Sequence, residues 1–151
     1  MNGMAAHAPD FSVGGKVVLI SGGTGGIGMA FANAFAACGA TLILADLKAP
    51  ADGTAYRYEP LDVRDDAAVR ALAARVERLD VLIHCAGRLV RHEEHQPEVF
   101  ADIVDIHLNG NMRLATAFRP QLAKTRGCLI NIGSMYSYFG AAMIPAYAAP
   151  K

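Results

Sequence analysis

Tyr147 and Lys151 stand four residues apart, so on a helix their side chains would lie one turn apart on the same face. A tyrosine hydroxyl can donate or accept a hydrogen bond, and a neighbouring ammonium favours its ionised form. This pair could therefore exchange a proton with a bound alcohol or carbonyl. Taken alone, it would fit a polar helix surface better, so the rest of the chain has to decide between the two.

A glycine-rich turn, SGGTGGIG at 21–28, lies between a predicted strand and a predicted helix. Glycines let the backbone turn sharply and approach a diphosphate, while the helix N-terminus offers free N–H groups. The alternative is a tight strand-to-helix turn that binds nothing. Two glycine patterns overlap in this turn: GxxxGxG, formed by Gly22, Gly26 and Gly28, and GxGxxG, formed by Gly23, Gly25 and Gly28.

An acidic residue, Asp46, ends the second predicted strand, 18 residues beyond Gly28. A carboxylate at this place can accept hydrogen bonds from a ribose 2′-hydroxyl and would repel a 2′-phosphate. The glycine turn holds no lysine or arginine, although Lys48 is close to Asp46. The sequence therefore predicts NAD in preference to NADP, the alternative being an aspartate that only caps a loop.

Strands alternate with helices along the chain, which predicts an α/β fold with a parallel sheet. The segment between the second and third strands, 47–54, is too short for a full crossover helix. Apolar, β-branched runs predict strands at 16–21, 41–46, within 55–63, 80–87 and 127–134. Helical spacing predicts helices from Ile27 to Gly39, over 65–79, and from Pro97 to about Lys124.

The composition is that of a globular domain, with 53% hydrophobic and 19% charged residues. Fourteen basic residues balance fourteen acidic ones, so no overall charge favours nucleic acid or an anionic membrane. No apolar run approaches the roughly 18 residues of a membrane span, and the N-terminus lacks a signal-peptide pattern. Cys38, Cys85 and Cys128 are predicted to be buried, reduced thiols, which suits a cytoplasmic protein, and no metal site is predicted.

Five motifs in this order resemble the short-chain dehydrogenase/reductase family: GxxxGxG, the strand-end Asp, Ala-Gly after the fourth strand, Ser134 after the fifth, and Tyr-x-x-x-Lys. The resemblance runs from Lys16 to Lys151. It implies a Rossmann-type doubly wound parallel sheet, with 16–151 as a dinucleotide-binding and catalytic domain and 1–15 as an N-terminal tail. Since the family continues past the lysine, we expect this fold to be truncated after its fifth strand.

The resemblance also implies roles for the matching residues. Tyr147 would be the general acid/base, Lys151 would bind the nicotinamide ribose and favour the tyrosinate, and Ser134 would hold the substrate oxygen. Asp62 would approach the adenine. The residues implied to bind the cofactor are Ser21, Gly22, Gly23, Gly26, Ile27, Gly28, Asp46, Asp62, Val63, Ala86, Gly87, Tyr147 and Lys151.

Two departures from the family pattern stand out. The usual Asn-Asn-Ala-Gly is His84-Cys85-Ala86-Gly87, and His107 replaces the asparagine of the run Asn-Leu-x-Gly. That asparagine is taken to hold a water in a proton relay with the lysine. His107 either substitutes for it, since a neutral imidazole donates and accepts one hydrogen bond each, or is a core histidine.

The resulting prediction is an NAD-dependent oxidoreductase acting on a secondary alcohol or ketone, homodimeric or homotetrameric when full length. The alternatives are a non-catalytic nucleotide-binding remnant or sensor, and a 3-oxoacyl carrier-protein reductase, against which Asp46 argues. The loop after the fourth strand could face a polar substrate or solvent. Its candidate residues are Arg88, Arg91, His92 and His95.

Overall fold

Five parallel strands form a single sheet in a computed structural model that describes residues 12–50 and 52–151. The strand order is β3-β2-β1-β4-β5, with the first strand in the centre. The predicted Rossmann-type α/β fold is confirmed. The strands are β1 (Val17–Ser21), β2 (Thr41–Asp46), β3 (Arg57–Pro60), β4 (Val81–His84) and β5 (Cys128–Asn131).

Helices cover both faces of this sheet. Two of them, α3 and α4, are joined without a break by a π-helical turn at Asp105–Asn109. The helices are α1 (Gly26–Ala37), α2 (Asp66–Arg75), α3 (Pro97–Val104), α4 (Gly110–Thr125), α5 (Tyr136–Phe139) and α6 (Pro145–Ala148).

The central strand divides the core into two layers because successive side chains point to opposite faces. Val18 and Ile20 are fully buried on the face that packs against α1, together with Ala32. Leu19 is fully buried on the other face, in the cluster that contains Leu114 and Phe118 of α4. This two-sided burial accounts for the uninterrupted apolar run of β1.

Two helices differ from their predicted form. The helix predicted over 65–79 begins at Asp66 after an N-cap, Asp65, whose carboxylate accepts from the Ala68 N–H. It ends at Arg75 because Val76 adopts extended backbone. The helix predicted from Pro97 to about Lys124 has the right extent, yet the π-helical turn interrupts it. The connection from β2 to β3 holds no helix in 47–50 or 52–56, as predicted.

The prediction that all three cysteines are buried is wrong. Cys38 is exposed where α1 ends, and Cys128 is exposed at the start of β5, a strand with one neighbour; only Cys85 is half-buried. All three are free thiols. Residues 1–11 of the predicted tail lie outside the described residues, and the domain bounds stay a prediction. No helix among the described residues is long and apolar enough to cross a membrane.

Candidate active site

The carboxyl ends of parallel strands meet at one edge of the sheet, where open α/β folds bind ligands. A cleft of about 620 Å³ lies at this edge, within the size range of about 300–1,000 Å³ that ligand pockets usually have. It runs between the glycine turn, the end of β2 and the segment after β4. Six of the predicted cofactor-binding residues line it: Gly22, Asp46, Asp62, Val63, Ala86 and Gly87.

Backbone geometry explains two of the glycines in the turn. Gly22 has a φ of +68°, and a Cβ added there would lie 2.5 Å from the Ala86 nitrogen. A Cβ on Gly28 would lie 2.2 Å from the Gly22 carbonyl oxygen. Gly26 differs, because a Cβ there would meet nothing within 4 Å. Gly22 and Gly28 therefore have no room for a side chain, whereas Gly26 at the start of α1 is exposed and lies next to Gly25, which lines the cleft.

Other predicted cofactor residues do not line the cleft. A Cβ on Gly23 would lie 2.8 Å from the Ile20 carbonyl oxygen, so this glycine serves packing against β1. Ser21 is fully buried, and Ile27 is 61% exposed on the outside of the turn. Their roles toward a cofactor stay predictions.

Asp46 lines the cleft and also holds the glycine turn. Its Oδ2 accepts hydrogen bonds from the Thr24 N–H (3.0 Å) and the Thr24 hydroxyl (2.8 Å), and its Oδ1 accepts from the Leu47 N–H (2.7 Å). An ionised carboxylate offers about four lone-pair positions, so one remains for a ribose hydroxyl. Asp46 can therefore both cap the loop and accept a hydrogen bond from a ribose hydroxyl, the two alternatives that the sequence left open.

Ion pairs join the walls of the cleft near Asp62. Arg64 contacts Asp62 at 2.6 Å and also pairs with Asp102, which accepts from Arg88 at 2.8 Å. Hydrogen bonding from Arg64 is the main reason that the pKa of Asp62 is lowered, although partial burial opposes it. Any contact of Asp62 with an adenine is therefore shared with Arg64.

Tyr147 and Lys151 lie together at the same edge of the sheet. The Lys151 Nζ is 5.4 Å from the centre of the Tyr147 ring and donates a hydrogen bond of 2.6 Å to the Ile132 carbonyl, just beyond β5. Burial lowers the pKa of Lys151. Tyr147 is the third residue of α6, which begins at Pro145. The pair is thus held against the sheet and is not a free surface pair.

Two further side chains, Ser134 and Cys85, follow the carboxyl ends of β5 and β4. Ser134 is half-buried, and its hydroxyl accepts from the Tyr136 N–H at 3.2 Å. Burial raises the pKa of the Cys85 thiol to about 11, with the Lys151 charge opposing it, so this thiol stays protonated at neutral pH. Among the described residues, no group of three or more His, Cys, Asp or Glu is arranged to hold a metal ion.

His107 lies in the π-helical turn, 7% exposed, and contacts Tyr147 edge to face with ring centroids 5.3 Å apart. Its Nε2 is 3.1 Å from the Arg88 nitrogen and 3.0 Å from the Arg88 oxygen, so its tautomer decides whether it accepts or donates. Burial lowers its pKa, which favours the neutral ring. A Cβ on Gly87 would lie 2.4 Å from this ring. His107 is therefore buried and also touches Tyr147.

Comparison with known proteins decides the family. The sequence profile described as short chain dehydrogenase matches residues 16–151. The chain belongs to the short chain dehydrogenase family. It is 31% identical over 159 residues to D-threitol dehydrogenase of Mycolicibacterium smegmatis, covering 94% of this chain and 61% of that protein. It is 34% identical over 151 residues to galactitol 2-dehydrogenase of Agrobacterium fabrum, covering 90% and 59%.

A solved structure agrees with the fold. Ligand-free aldohexose dehydrogenase of Thermoplasma acidophilum superimposes with a TM-score of 0.87 at 23% identity, over 93% of this chain and 58% of that one. At this identity the likeness concerns the fold alone. The chain spans about three fifths of the length of the short chain dehydrogenases that it matches.

Substitutions at His107 test its role in this member of the short chain dehydrogenase family. We expect His107→Ala to lower kcat in the full-length protein about tenfold more than His107→Asn, since asparagine keeps a polar group beside Tyr147 and Arg88. The measurement is steady-state kinetics of both variants, with cofactor affinity as the control. Equal and negligible effects would identify a core histidine instead.

The sequence identifies His84 only as a departure from the family pattern. In the structure, His84 also has a buried hydrogen bond between two strands. It is 5% exposed at the end of β4, and its Nδ1 lies 2.7 Å from the Ser21 hydroxyl on β1. Its Nε2 is buried without a hydrogen-bond partner among the described residues. Burial, followed by the charges of His107 and Lys151, lowers its pKa from 6.5 to about 4. A neutral imidazole thus links the two central strands behind the site.

The loop after β4 contacts the segment that precedes Tyr147. The His92 N–H donates to the Met143 carbonyl at 3.2 Å, and the His95 Nε2 is 2.7 Å from the Ala142 carbonyl. Arg91 is exposed. Part of this loop therefore holds the backbone near the site, which the sequence did not predict.

Proposed function

We propose that the full-length protein is an NAD-dependent oxidoreductase that interconverts a secondary alcohol and a ketone, with Tyr147 as general acid/base. The observation that carries the proposal is the placement of Tyr147 and Lys151, 5.4 Å apart as measured from Nζ to the ring centre, at the sheet edge that also forms the cleft. Alcohol oxidation by hydride removal requires a group that exchanges a proton with the substrate beside a cleft that can bind a nicotinamide cofactor.

The residues divide the work as follows. The cleft lined by Gly22, Asp46 and Ala86 would hold NAD, which when bound would supply the hydride acceptor for alcohol oxidation or, reduced, the hydride donor for the ketone. Tyr147 takes the hydroxyl proton in one direction and gives it back in the other. The Lys151 ammonium lies over the face of the tyrosine ring, and Ser134 hydrogen-bonds the substrate oxygen. His107 packs against the ring and restricts its orientation.

Features of the cleft support NAD as the cofactor. Gly25 lines the cleft, and the free N–H groups at the start of α1 follow it directly, which suits a diphosphate. Asp46 faces the cleft from the end of β2, where a ribose hydroxyl would need an acceptor. Lys48 also lines the cleft, so the charge balance that discriminates against a 2′-phosphate depends on Asp46.

The names of several relatives suggest where to look for the substrate. Proteins similar to this chain act, by name, on D-threitol, L-fucose and galactitol. We therefore propose a polyol or sugar hydroxyl as the site of oxidation. The test is to follow the absorbance of reduced nicotinamide while the full-length protein is offered a panel of polyols, sugars and simple secondary alcohols. Nucleotide binding without turnover of any of these would favour the non-catalytic alternative.

NAD preference is testable by isothermal titration of the full-length protein with NAD and NADP. We expect NAD to bind about tenfold tighter or better, because a hydrogen bond to a charged acceptor contributes about 1.5–3 kcal/mol. Asp46→Ala should reduce the difference in affinity between NAD and NADP. Asp52→Ala is the matched control, since Asp52 is exposed and does not line the cleft. Tighter binding of NADP to the unmodified protein would refute the preference for NAD. It would favour the alternative function of a 3-oxoacyl carrier-protein reductase.

Homo-oligomerisation and a cytoplasmic location are also proposals. The first follows from the family resemblance. The second is supported by three free thiols and no disulfide among the described residues. Sedimentation of the full-length protein and fractionation of the source cells would test them.

A further inference from the structure

Helix α6, which carries Tyr147, lacks a capping residue of its own. Its N-cap position is Ile144, whose side chain cannot accept a hydrogen bond. The N–H groups of the first turn have no partner within a helix, and that of Tyr147 is one of them. The local sequence therefore leaves the backbone of Tyr147 without an anchor.

A residue far away in the sequence supplies the missing acceptor. Glu94, in the loop between β4 and α3, accepts a hydrogen bond from the Tyr147 N–H at 2.8 Å through its Oε2. Its other oxygen, Oε1, accepts from the Val90 N–H at 2.8 Å. Both oxygens of one carboxylate thus bind backbone N–H groups, one in its own loop and one in α6.

Burial restricts the orientation of the Glu94 side chain. Glu94 is 0% exposed, whereas the adjacent Glu93 is exposed. A buried carboxylate is costly unless it is hydrogen-bonded, so the side chain is confined to an orientation that keeps both N–H partners. The contacts of His92 and His95 with Met143 and Ala142 hold the same two segments together.

We propose that Glu94 is a positioning residue for Tyr147: it caps α6 from the loop after β4 and so fixes the tyrosine relative to Lys151. The role in turnover rests on the proposed function of Tyr147. Glu94 does not line the cleft, so the cap acts on the orientation of the tyrosine and leaves cofactor binding unchanged.

Glu94→Gln is the sharpest substitution because it keeps the shape of the side chain. An amide offers one oxygen, and its NH₂ group would face the other backbone N–H, so one of the two hydrogen bonds is lost. A misplacement of about 1 Å can cost on the order of a hundredfold in rate. We expect kcat to fall about 10- to 100-fold, with the Kd for NAD within about twofold. Glu93→Gln, the same change one residue earlier, should have the kcat and the Kd for NAD of the unmodified protein.

Hydrogen–deuterium exchange gives a readout independent of activity. In full-length Glu94→Gln, amides of 144–149 should exchange faster than in Glu93→Gln, while those of β1 and β4 stay unchanged. Should Glu94→Gln fail to fold, Glu94→Asp replaces it. Aspartate keeps the charge but is one methylene shorter and cannot reach both N–H groups, so the same losses are expected.

The outcomes separate this proposal from the proposed function. Unchanged kcat and unchanged exchange in a folded Glu94 variant would overturn the positioning role, even with Tyr147→Phe inactive. Faster exchange with unchanged kcat, together with an active Tyr147→Phe, would overturn the proposed function of Tyr147 and the positioning role that rests on it. Lower kcat with faster exchange, unchanged NAD affinity and an inactive Tyr147→Phe would support both.

Discussion

Tyr147→Phe should lower turnover of the full-length protein by about 10²–10⁴-fold, the usual contribution of a positioned acid/base. The substitution removes only the hydroxyl. The ring contacts with His107 and Tyr136, at 5.3 and 6.4 Å between centroids, and the backbone bond to Glu94 can all persist. The loss therefore reports on the proton and not on the fold.

Cofactor titration distinguishes this loss from a damaged site. We expect the Kd for NAD to stay within severalfold, because Tyr147 does not line the cleft and the glycine turn is untouched. Tyr138→Phe is the control, since Tyr138 is 85% exposed and loses the same hydroxyl. Turnover near that of the unmodified protein would remove Tyr147 from the mechanism.

Gly22→Ala should destabilise the fold by about 3 kcal/mol or more. Two costs of about 1–3 kcal/mol each combine: a left-handed backbone at φ +68°, and a Cβ 2.5 Å from the Ala86 nitrogen. Neither can be relieved by a side-chain movement, because the contacted atom belongs to the backbone. For a chain of this size, that corresponds to a fall in Tm of about 10 °C.

Gly26→Ala is the matched control for this effect. A Cβ at Gly26 meets nothing within 4 Å, so the Tm should change little, but affinity for NAD should fall if the diphosphate occupies that space. Thermal melts and NAD titrations of both variants make the comparison. If Gly22→Ala has the same Tm as the unmodified protein, the backbone of the turn is not constrained as described.

Local patterns in the sequence predicted most of the elements that position the site. The apolar run TLILAD has the observed bounds of β2, and the glycine turn connects β1 and α1 as its spacing indicated. Tyr147 and Lys151 come together because their spacing is local. The position of Ser134 after β5 follows from the same short-range signals.

Features that depend on distant residues were not predictable in this way. Glu94 lies 53 residues from Tyr147, and nothing in the loop sequence shows that its carboxylate is buried. The π-helical turn around His107 has no signal in the apolar spacing, which continues through it. The pairing of His84 with Ser21 across β1 and β4 spans 63 residues and depends on the sheet register.

Because the imidazole of His84 is buried, the folding stability of this chain depends on pH. Its pKa is about 4 in the folded protein and 6.5 for the free side chain, so the unfolded chain binds the additional proton between these values. Folding stability is then complete above about pH 6.5 and declines as the pH falls toward 4, by about 3 kcal/mol in total. Protonation of one imidazole, at the contact between Ser21 of β1 and His84 of β4, would thus weaken the fold in acid.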